Sequence, residues 1–505
     1  MSSTSKHLNK QDCVDLRAQI IDLGFGQAEA ETQELFAHRL YPVAEHLRAL
    51  DPNVVLVVGP RGSGKSALFQ AFFSKNRDLA NAITRWMPMT PILQAQSDSS
   101  EWRAAFPAGI DFPDTQALAN WARSDEAAKK IWHIMLVRCL ADLLDERYRE
   151  ELKSMLQPSA VAVDELLHAY TVPERSPTAA LDALEKRLQQ EDSRVYVGYD
   201  ELDTLGGFDW ALMARMVRGL VAFWSDYSRR WRRIRAKIFL RSDLFRRHAG
   251  MGTADFAKLA ANRAELAWSD AALLAMLVKR IANTSDRLAA YCRGARIRFE
   301  DHVALGLIPE IKEPRDAYPL LERLSGEFMG AGKKKGYVRS WVLAHLRDGN
   351  DRVSPRALVR LIEQAAGKDA VNRTLRPPRL IHPTALRQAL DDVSDSHVTQ
   401  GISSEWPWLE GVKQRLTLDR LVPWTRKEIV DLFDADWMKT WGPREGPDVR
   451  PPVEQPADFV DYLIDLGVFR QRSGDQIDVP DLYLSGLGLR RKGGVRRGPR
   501  SVKRA

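Results

Sequence analysis

One short segment of this sequence has the residue types and spacing of a phosphate-binding loop. It fits the pattern G-x-x-x-x-G-K-[ST] at every position, as Gly59, Pro60, Arg61, Gly62, Ser63, Gly64, Lys65 and Ser66. Glycines let a backbone curl until several N–H groups point at phosphate oxygens, and Ala67 opens a helix whose N-terminal end adds positive potential. Lys65 is placed to reach the β- and γ-phosphates, and the Ser66 hydroxyl to ligate Mg²⁺. The segment therefore predicts ATP binding with Mg²⁺.

A second segment supplies acids that such a loop needs. Asp200 and Glu201 follow the strand-like run Val195–Tyr199. Ligands of open parallel sheets bind at the carboxyl ends of the strands, so these acids are expected beside the phosphate loop. We expect Asp200 to hold Mg²⁺, and Glu201 to act as general base on the attacking water.

A third run, Lys237–Asp243, reads as the next strand. In ATPases with an added strand between the loop strand and the acid strand, this strand carries a polar sensor of the γ-phosphate. The candidates are Arg241, Ser242 and Asp243, with Arg241 and Ser242 favoured over Asp243.

Regular elements must position these residues. Val54–Val58 is a continuous apolar run, typical of a central parallel strand buried on both faces. A helical pattern follows at 67–75. The long stretch 76–194 contains helical patterns at 121–156 and 178–190, and we interpret it mainly as a helical insertion at about 86–190.

Together these segments resemble the AAA+/STAND division of P-loop ATPases, near the bacterial STAND and KAP NTPases. The resemblance is carried by the segments GPRGSGKS, YVGYDELD, KIFLRSDLF, NRAELAWS and VSPRALV. In the last of these it implies that Arg356 is a "sensor 2" arginine in a helical lid. Ring-forming relatives also use an arginine from the next subunit, for which Arg246, Arg247 and Arg263 are candidates. Members of such groups are frequent in genomic islands for conflict with phages and plasmids.

The predicted fold class is α/β: a P-loop parallel sheet with a helical insertion, a helical lid and a C-terminal winged-helix-like domain. The winged-helix-like part rests on helices, one of them predicted over 424–438, followed by a hairpin with strands at 468–472 and 476–479 around the turn 473–475. The predicted segments are the ATPase core 1–268, the lid 269–376, linker helices 377–422, the winged-helix-like domain 423–494 and a basic disordered tail 495–505.

Charge is concentrated at the C-terminus. Lys and Arg exceed Asp and Glu by 75 to 67, and the residues from Arg490 to Ala505 hold eight basic residues and no acidic one. The rest of the chain is formally neutral, so the tail is the expected site of non-specific nucleic-acid contact. The run 229–237 has six basic residues in nine. We interpret it as the end of the helix that starts near Trp210, with phosphate contact as the alternative.

Three widely spaced cysteines, Cys13, Cys139 and Cys292, form no CxxC pair and suit a reducing compartment. With no signal-peptide pattern and no membrane span, we expect a cytoplasmic protein with no membrane contact.

The sequence thus favours an ATP-hydrolysing switch or motor, and a homo-oligomer is a further expectation. It would regulate a separately encoded effector, in bacterial defence by family association, because the chain has no nuclease, protease or deaminase motif of its own. Two alternatives stay open: a DNA-stimulated ATPase for replication, transposition or segregation, and a nucleotide-gated scaffold that does not hydrolyse ATP.

Overall fold

The structure is a computed structural model. It describes residues 8–23, 33–73, 79, 82–83, 86, 100–107, 112–153, 177–206, 209–249, 254–404, 406–418, 420–440, 450–451 and 453–492. The chain divides into two compact units, one formed by Gly26–Ala317 and the other by Met1–Phe25 with Tyr318–Ala505. The predicted core, 1–268, begins 25 residues before the unit Gly26–Ala317 begins and ends 49 residues before that unit ends. The predicted tail, 495–505, lies outside the described residues.

The elements are as follows. The helices are α1 (Lys10–Ile21), α2 (Gln33–Arg39), α3 (Ala44–Leu50), α4 (Lys65–Phe73), α5 (Thr115–Trp121), α6 (Asp125–Cys139), α7 (Glu146–Glu151), α8 (Pro177–Gln190), α9 (Trp210–Tyr227), α10 (Ser242–Ala249), α11 (Ala254–Ala261), α12 (Asp270–Ala282), α13 (Asp286–Arg293), α14 (Pro314–Ser325), α15 (Val338–Ala344), α16 (Pro355–Ala366), α17 (Asp369–Asn372), α18 (Pro383–Ser404), α19 (Leu409–Leu416), α20 (Arg426–Leu432), α21 (Ala435–Thr440), α22 (Pro456–Asp465) and α23 (Asp481–Leu484). The strands are β1 (Leu56–Gly59), β2 (Ser100–Phe106), β3 (Arg194–Tyr199), β4 (Ile234–Arg241), β5 (Ala264–Glu265), β6 (Phe299–His302), β7 (Gly306–Pro309), β8 (Leu421–Val422), β9 (Trp424–Thr425), β10 (Arg470–Arg472), β11 (Gln476–Asp478) and β12 (Arg490–Arg491).

The unit Gly26–Ala317 is built on a five-stranded sheet of order β2-β3-β4-β1-β5. All of its neighbouring strands run parallel. The strand β4 lies between β1, which leads into the phosphate loop, and β3, which leads into Asp200. The expected α/β class is therefore confirmed, and so is the added strand between the loop strand and the acid strand.

Alternate residues of each central strand enter two different cores. Val57, Tyr196 and Phe239 pack with α3 and α4 on one face, whereas Val58 and Val197 pack with α6, α8 and α9 on the other. Because both faces are covered, β1 and most of β3 are apolar, which explains why the sequence pattern predicts them as strands.

One strand and one helical layer differ from the sequence prediction. The segment 100–106, inside the predicted insertion, is the edge strand β2, which pairs in parallel with β3. Helices α6 and α8, which also lie inside the predicted insertion, form part of the layer that covers one face of the sheet. Within 86–190, the described elements β2, α6 and α8 therefore belong to the sheet and its covering layer. The sequence missed β2 because Glu101 and Arg103 interrupt its apolar pattern, as an edge strand tolerates.

Among the described elements, the other unit holds α1, most of α14, α15 to α23 and two small sheets. Its three-stranded antiparallel sheet has the order β10-β11-β9. Gly474 and Asp475, at φ +75° and +56°, form the turn between β10 and β11. The predicted hairpin is thus present, after helices α19, α20 and α22, and the winged-helix-like domain stays a prediction.

Two local predictions were wrong. Residues 424–438, expected as one helix, form β9, α20 and α21. The predicted lid also contains the antiparallel hairpin of β6 and β7. Among the described helices, none is both long and apolar enough to cross a bilayer.

Candidate nucleotide-binding site

The phosphate loop connects β1 to α4 and has the backbone that its glycines permit. Gly62 and Gly64 lie at φ +70° and +97°, which side chains with a Cβ rarely adopt. Gly59 is needed for close packing, since a Cβ there would lie 2.4 Å from the Ser63 Oγ. The loop ends as Leu68 N donates to Gly64 O at 2.9 Å, and Ala67 lies in the first turn of the helix. This arrangement presents helix N-terminal amides to an anion.

Lys65 lies over the start of the loop. Its Nζ donates to Gly59 O at 3.0 Å and to Pro60 O at 2.9 Å. Its positive charge opposes the burial that raises the pKa of Asp200, and it adds to the larger effect of Arg241 that lowers the pKa of Asp243. The ammonium group therefore sits between the loop and the acids at the ends of β3 and β4.

Ser66 and Asp200, the two predicted magnesium ligands, are in contact. The Ser66 hydroxyl lies near enough to the Asp200 carboxylate to oppose, as a hydrogen-bond donor, the rise of its pKa. Asp200 is 3% exposed, and burial raises its pKa despite the opposing effects of Ser66 and Lys65. A hydroxyl and a carboxylate at the mouth of a phosphate loop are oxygen donors that fit Mg²⁺.

Glu201, the predicted base, has an unusual backbone. It lies at φ +54° and ψ +28°, a left-handed conformation uncommon outside glycine, asparagine and aspartate. Its carbonyl oxygen accepts hydrogen bonds from Thr204 N at 2.9 Å and Thr204 Oγ1 at 2.8 Å, which close the 3-10 turn Leu202–Thr204. The residue is exposed, immediately beyond the buried Asp200.

Arg241 ends β4 and is held by two carboxylates. Its Nη1 lies 3.1 Å from Asp203 Oδ2, and its Nε and Nη2 bind the two oxygens of Asp243 at 3.1 and 2.7 Å. Register places Arg241 beside Gly59 of β1. Ser242, the other favoured sensor candidate, is buried.

Trp268 is a contact of the loop that the sequence did not reveal. Its indole Nε1 donates to Ser63 O at 2.7 Å. The ring of the buried His46 meets it edge to face, with centroids 6.0 Å apart. Ser63 and Trp268 are 205 positions apart in the chain, so no local sequence pattern could predict this hydrogen bond.

The remaining arginine candidates differ in their surroundings. Arg263 donates to Ala260 O at 2.9 Å, lies 3.7 Å from Glu265 and covers the Phe245 ring. Arg246 is exposed, and the side chain of Arg247 lies outside the described residues. Arg356 follows Pro355 in the first turn of α16, in the other compact unit. The roles in trans and as sensor 2 stay predictions.

The basic run 229–237 does not end a helix. Helix α9 stops at Tyr227, and β4 begins at Ile234. Within the run Arg230 pairs with Asp182 and Arg233 with Asp192. Arg235 and Lys237 are buried, and burial holds the pKa of Lys237 well below its ordinary value.

The charges of Arg235 and Lys237 are therefore used inside the fold. The Arg235 guanidinium donates to Pro52 O at 2.8 Å and to Asn53 Oδ1 at 3.0 Å, while the Lys237 Nζ donates to Val54 O at 2.7 Å. Arg235 and Lys237 thus tether the start of β4 to the segment before β1, whereas Arg229, Arg230 and Arg232 are exposed, so phosphate contact stays open as a prediction for those three.

A glycine loop on β1, a serine and an aspartate in contact across it, and a polar β4 between them form one site. The core has the fold of the P-loop ATPases.

No protein-family model matches this chain, and no curated protein matches it. Among solved structures it is similar to Cdc6p from Pyrobaculum aerophilum, with 11% identity, 86% of each chain covered and a TM-score of 0.29. It is also similar to the ORC2 protein of Aeropyrum pernix in ADPNP–ADP complexes, with 13% identity, 86% of this chain and 87% of that one covered and a TM-score of 0.37. The ADP form of that ORC2 protein gives 12% identity, coverage of 93% and 94%, and a TM-score of 0.30. With TM-scores below 0.5, these likenesses support no conclusion about this chain.

Proposed function

We propose that this protein binds ATP with Mg²⁺ and hydrolyses it. The observation that carries the proposal is the geometry of the phosphate loop, with Gly62 and Gly64 at φ +70° and +97° and the Lys65 Nζ bound to Gly59 O and Pro60 O. The Ser66 hydroxyl, in the first turn of α4, and the Asp200 carboxylate, after β3, lie close to each other, where a metal bound to phosphate would need ligands from both.

The residues divide the chemistry among them. Loop amides and Lys65 bind the phosphates, while Ser66 and Asp200 would hold Mg²⁺, which offsets the negative charge of the phosphates. Glu201 orients the attacking water and accepts its proton, a contribution of roughly 10²–10⁴-fold in rate for a general base. Its exposure beyond Asp200 leaves the carboxylate accessible to such a water.

Three variants test these roles. Lys65→Ala should abolish ATP binding, and Ser66→Ala should weaken the dependence of binding on Mg²⁺. Glu201→Gln should keep ATP binding and lose turnover. Glu300→Gln, an exposed carboxylate on β6, is the matched control and should leave both unchanged. Normal phosphate release from Glu201→Gln would exclude Glu201 as the base.

The use made of ATP is a separate part of the proposal. A switch or motor that regulates a separately encoded effector in bacterial defence rests on the family resemblance and stays a prediction, as do a homo-oligomer and a cytoplasmic location. The DNA-stimulated alternative predicts a higher ATPase rate with duplex DNA. Measuring that rate at two salt concentrations, with and without residues 495–505, separates stimulation from simple tethering by the tail. A wild-type protein that binds ATP without turnover would favour the scaffold.

A further inference from the structure

The strongest unexplained feature of the site is the side chain of Arg241. It is only 6% exposed, and it bridges two acids from different elements, Asp203 in the 3-10 turn Leu202–Thr204 and Asp243 in the first turn of α10. Asp203 follows β3 and Asp243 follows β4, so the guanidinium joins the ends of two neighbouring strands. We call this arrangement the Asp203–Arg241–Asp243 clamp.

The charge of Arg241 is paired with both carboxylates of the clamp. Burial by itself would raise the pKa of Asp243, but the charge and hydrogen bonds of Arg241 lower it below its ordinary value. Asp243 is thus ionised at neutral pH, and its two oxygens fit the planar fork of the guanidinium. An arginine bound in this way is already oriented and largely neutralised.

The other end of the clamp holds the turn that carries Glu201. Asp203 lies in the 3-10 turn Leu202–Thr204, directly after Glu201. A left-handed, non-glycine residue persists only where its surroundings hold it. Within the turn, Thr204 bonds to the Glu201 carbonyl, and Arg241 anchors the same turn through Asp203.

We propose that Arg241 is a positioning residue that fixes Glu201 through Asp203, and that it does not sense the γ-phosphate directly. This inference rests on the proposed ATPase function. It replaces the sensor role that the sequence favoured for Arg241.

The kinetic test separates positioning from phosphate contact. Arg241→Lys keeps the charge but loses the fork, and Asp203→Asn removes the acid while keeping its size. Both should lower kcat by about 100-fold, the scale of a small misplacement of a reacting group. The ratio of the dissociation constants for ATP and ADP should stay unchanged. In a Glu201→Gln background, neither variant should slow single-turnover hydrolysis further.

Arg218→Lys is the matched control, because Arg218 makes a bidentate pair with Asp125 away from the loop. It should leave kcat unchanged. A selective loss of ATP over ADP binding in Arg241→Lys would overturn the proposal in favour of direct γ-phosphate contact. A further rate loss in the Glu201→Gln background would overturn it as well, because the residues would then act independently.

Amide hydrogen exchange tests the clamp without any turnover. Amides of residues 202–205 should exchange about tenfold faster in Arg241→Lys and Asp203→Asn, as expected for the loss of one charged hydrogen bond. Arg218→Lys should not change them. If the wild type binds ATP but does not hydrolyse it, the proposed function fails while this measurement still decides the clamp. Unchanged exchange in both variants would refute the clamp whatever the ATPase result.

Discussion

Removing a single N–H group from Trp268 should weaken ATP binding. Trp268→Phe keeps an aromatic ring beside His46 but loses the donor that binds Ser63 O at 2.7 Å. Ser63 is 1% exposed, so water does not readily replace the lost partner. A lost hydrogen bond that leaves a buried acceptor costs about 1–2 kcal/mol.

That energy should be expressed in nucleotide affinity. The bond fixes the middle of a loop whose neighbouring glycines, Gly62 and Gly64, have φ values that few residues adopt. If ATP requires this loop conformation, the dissociation constant rises by about 5- to 30-fold for 1–2 kcal/mol. The assay is calorimetric titration of the protein with ATP and Mg²⁺.

The control must lose an equivalent bond elsewhere. Trp132 is fully buried in the same unit, and its Nε1 donates to Met216 O at 2.8 Å. Trp132→Phe should lower the free energy of unfolding by the same ~1–2 kcal/mol that one lost hydrogen bond costs, while its affinity for ATP stays at the wild-type value. Wild-type affinity in Trp268→Phe, or an equal loss of affinity in both variants, would refute the idea that Trp268 anchors the loop.

Two further predictions concern stability. Glu185 is 4% exposed and accepts three backbone N–H groups at the start of β4, at 2.8–3.0 Å. Glu185→Ala should therefore lower the free energy of unfolding in urea by about 3–6 kcal/mol, and a loss below about 1 kcal/mol would contradict this. Burial lowers the pKa of His46 to about 4. The unfolded chain takes up this proton as the pH falls through about 6.5 and the folded chain only near 4, so stability should fall by about 3 kcal/mol across that window. His46→Gln, which can still accept the Val43 amide, should remove about that amount of the acid loss; an unchanged pH profile would show that His46 does not titrate in this way.

Local sequence was sufficient wherever a function depends on contiguous residues. The loop residues from Gly59 to Ser66 are adjacent, so the complete phosphate-loop pattern and the glycines that allow positive φ at Gly62 and Gly64 can be recognised locally. The position of Asp200 at the end of a strand could be predicted because an apolar run directly precedes it. The hairpin turn at Gly474 could be predicted because its turn-forming residues, 473–475, are contiguous.

Charge proved the least informative local signal. The run 229–237 looks in the sequence like a helix end or a phosphate-binding surface. Its actual use depends on partners about 50 to 180 positions away, such as Asp182 for Arg230 and Pro52 for Arg235. Whether a basic residue stays at the surface or is buried with hydrogen-bond partners depends on residues far away in the chain.

The sequence by itself determined the phosphate loop, the acid at the end of β3 and the α/β class, because each is encoded in the spacing of neighbouring residues. Only the tertiary structure decided that β2 completes the sheet and that Trp268 holds the loop. It also showed that Arg241 is bound between Asp203 and Asp243. The physical reason is that strand order and side-chain pairing are set by burial and charge neutralisation between segments far apart in the chain, which no local pattern records.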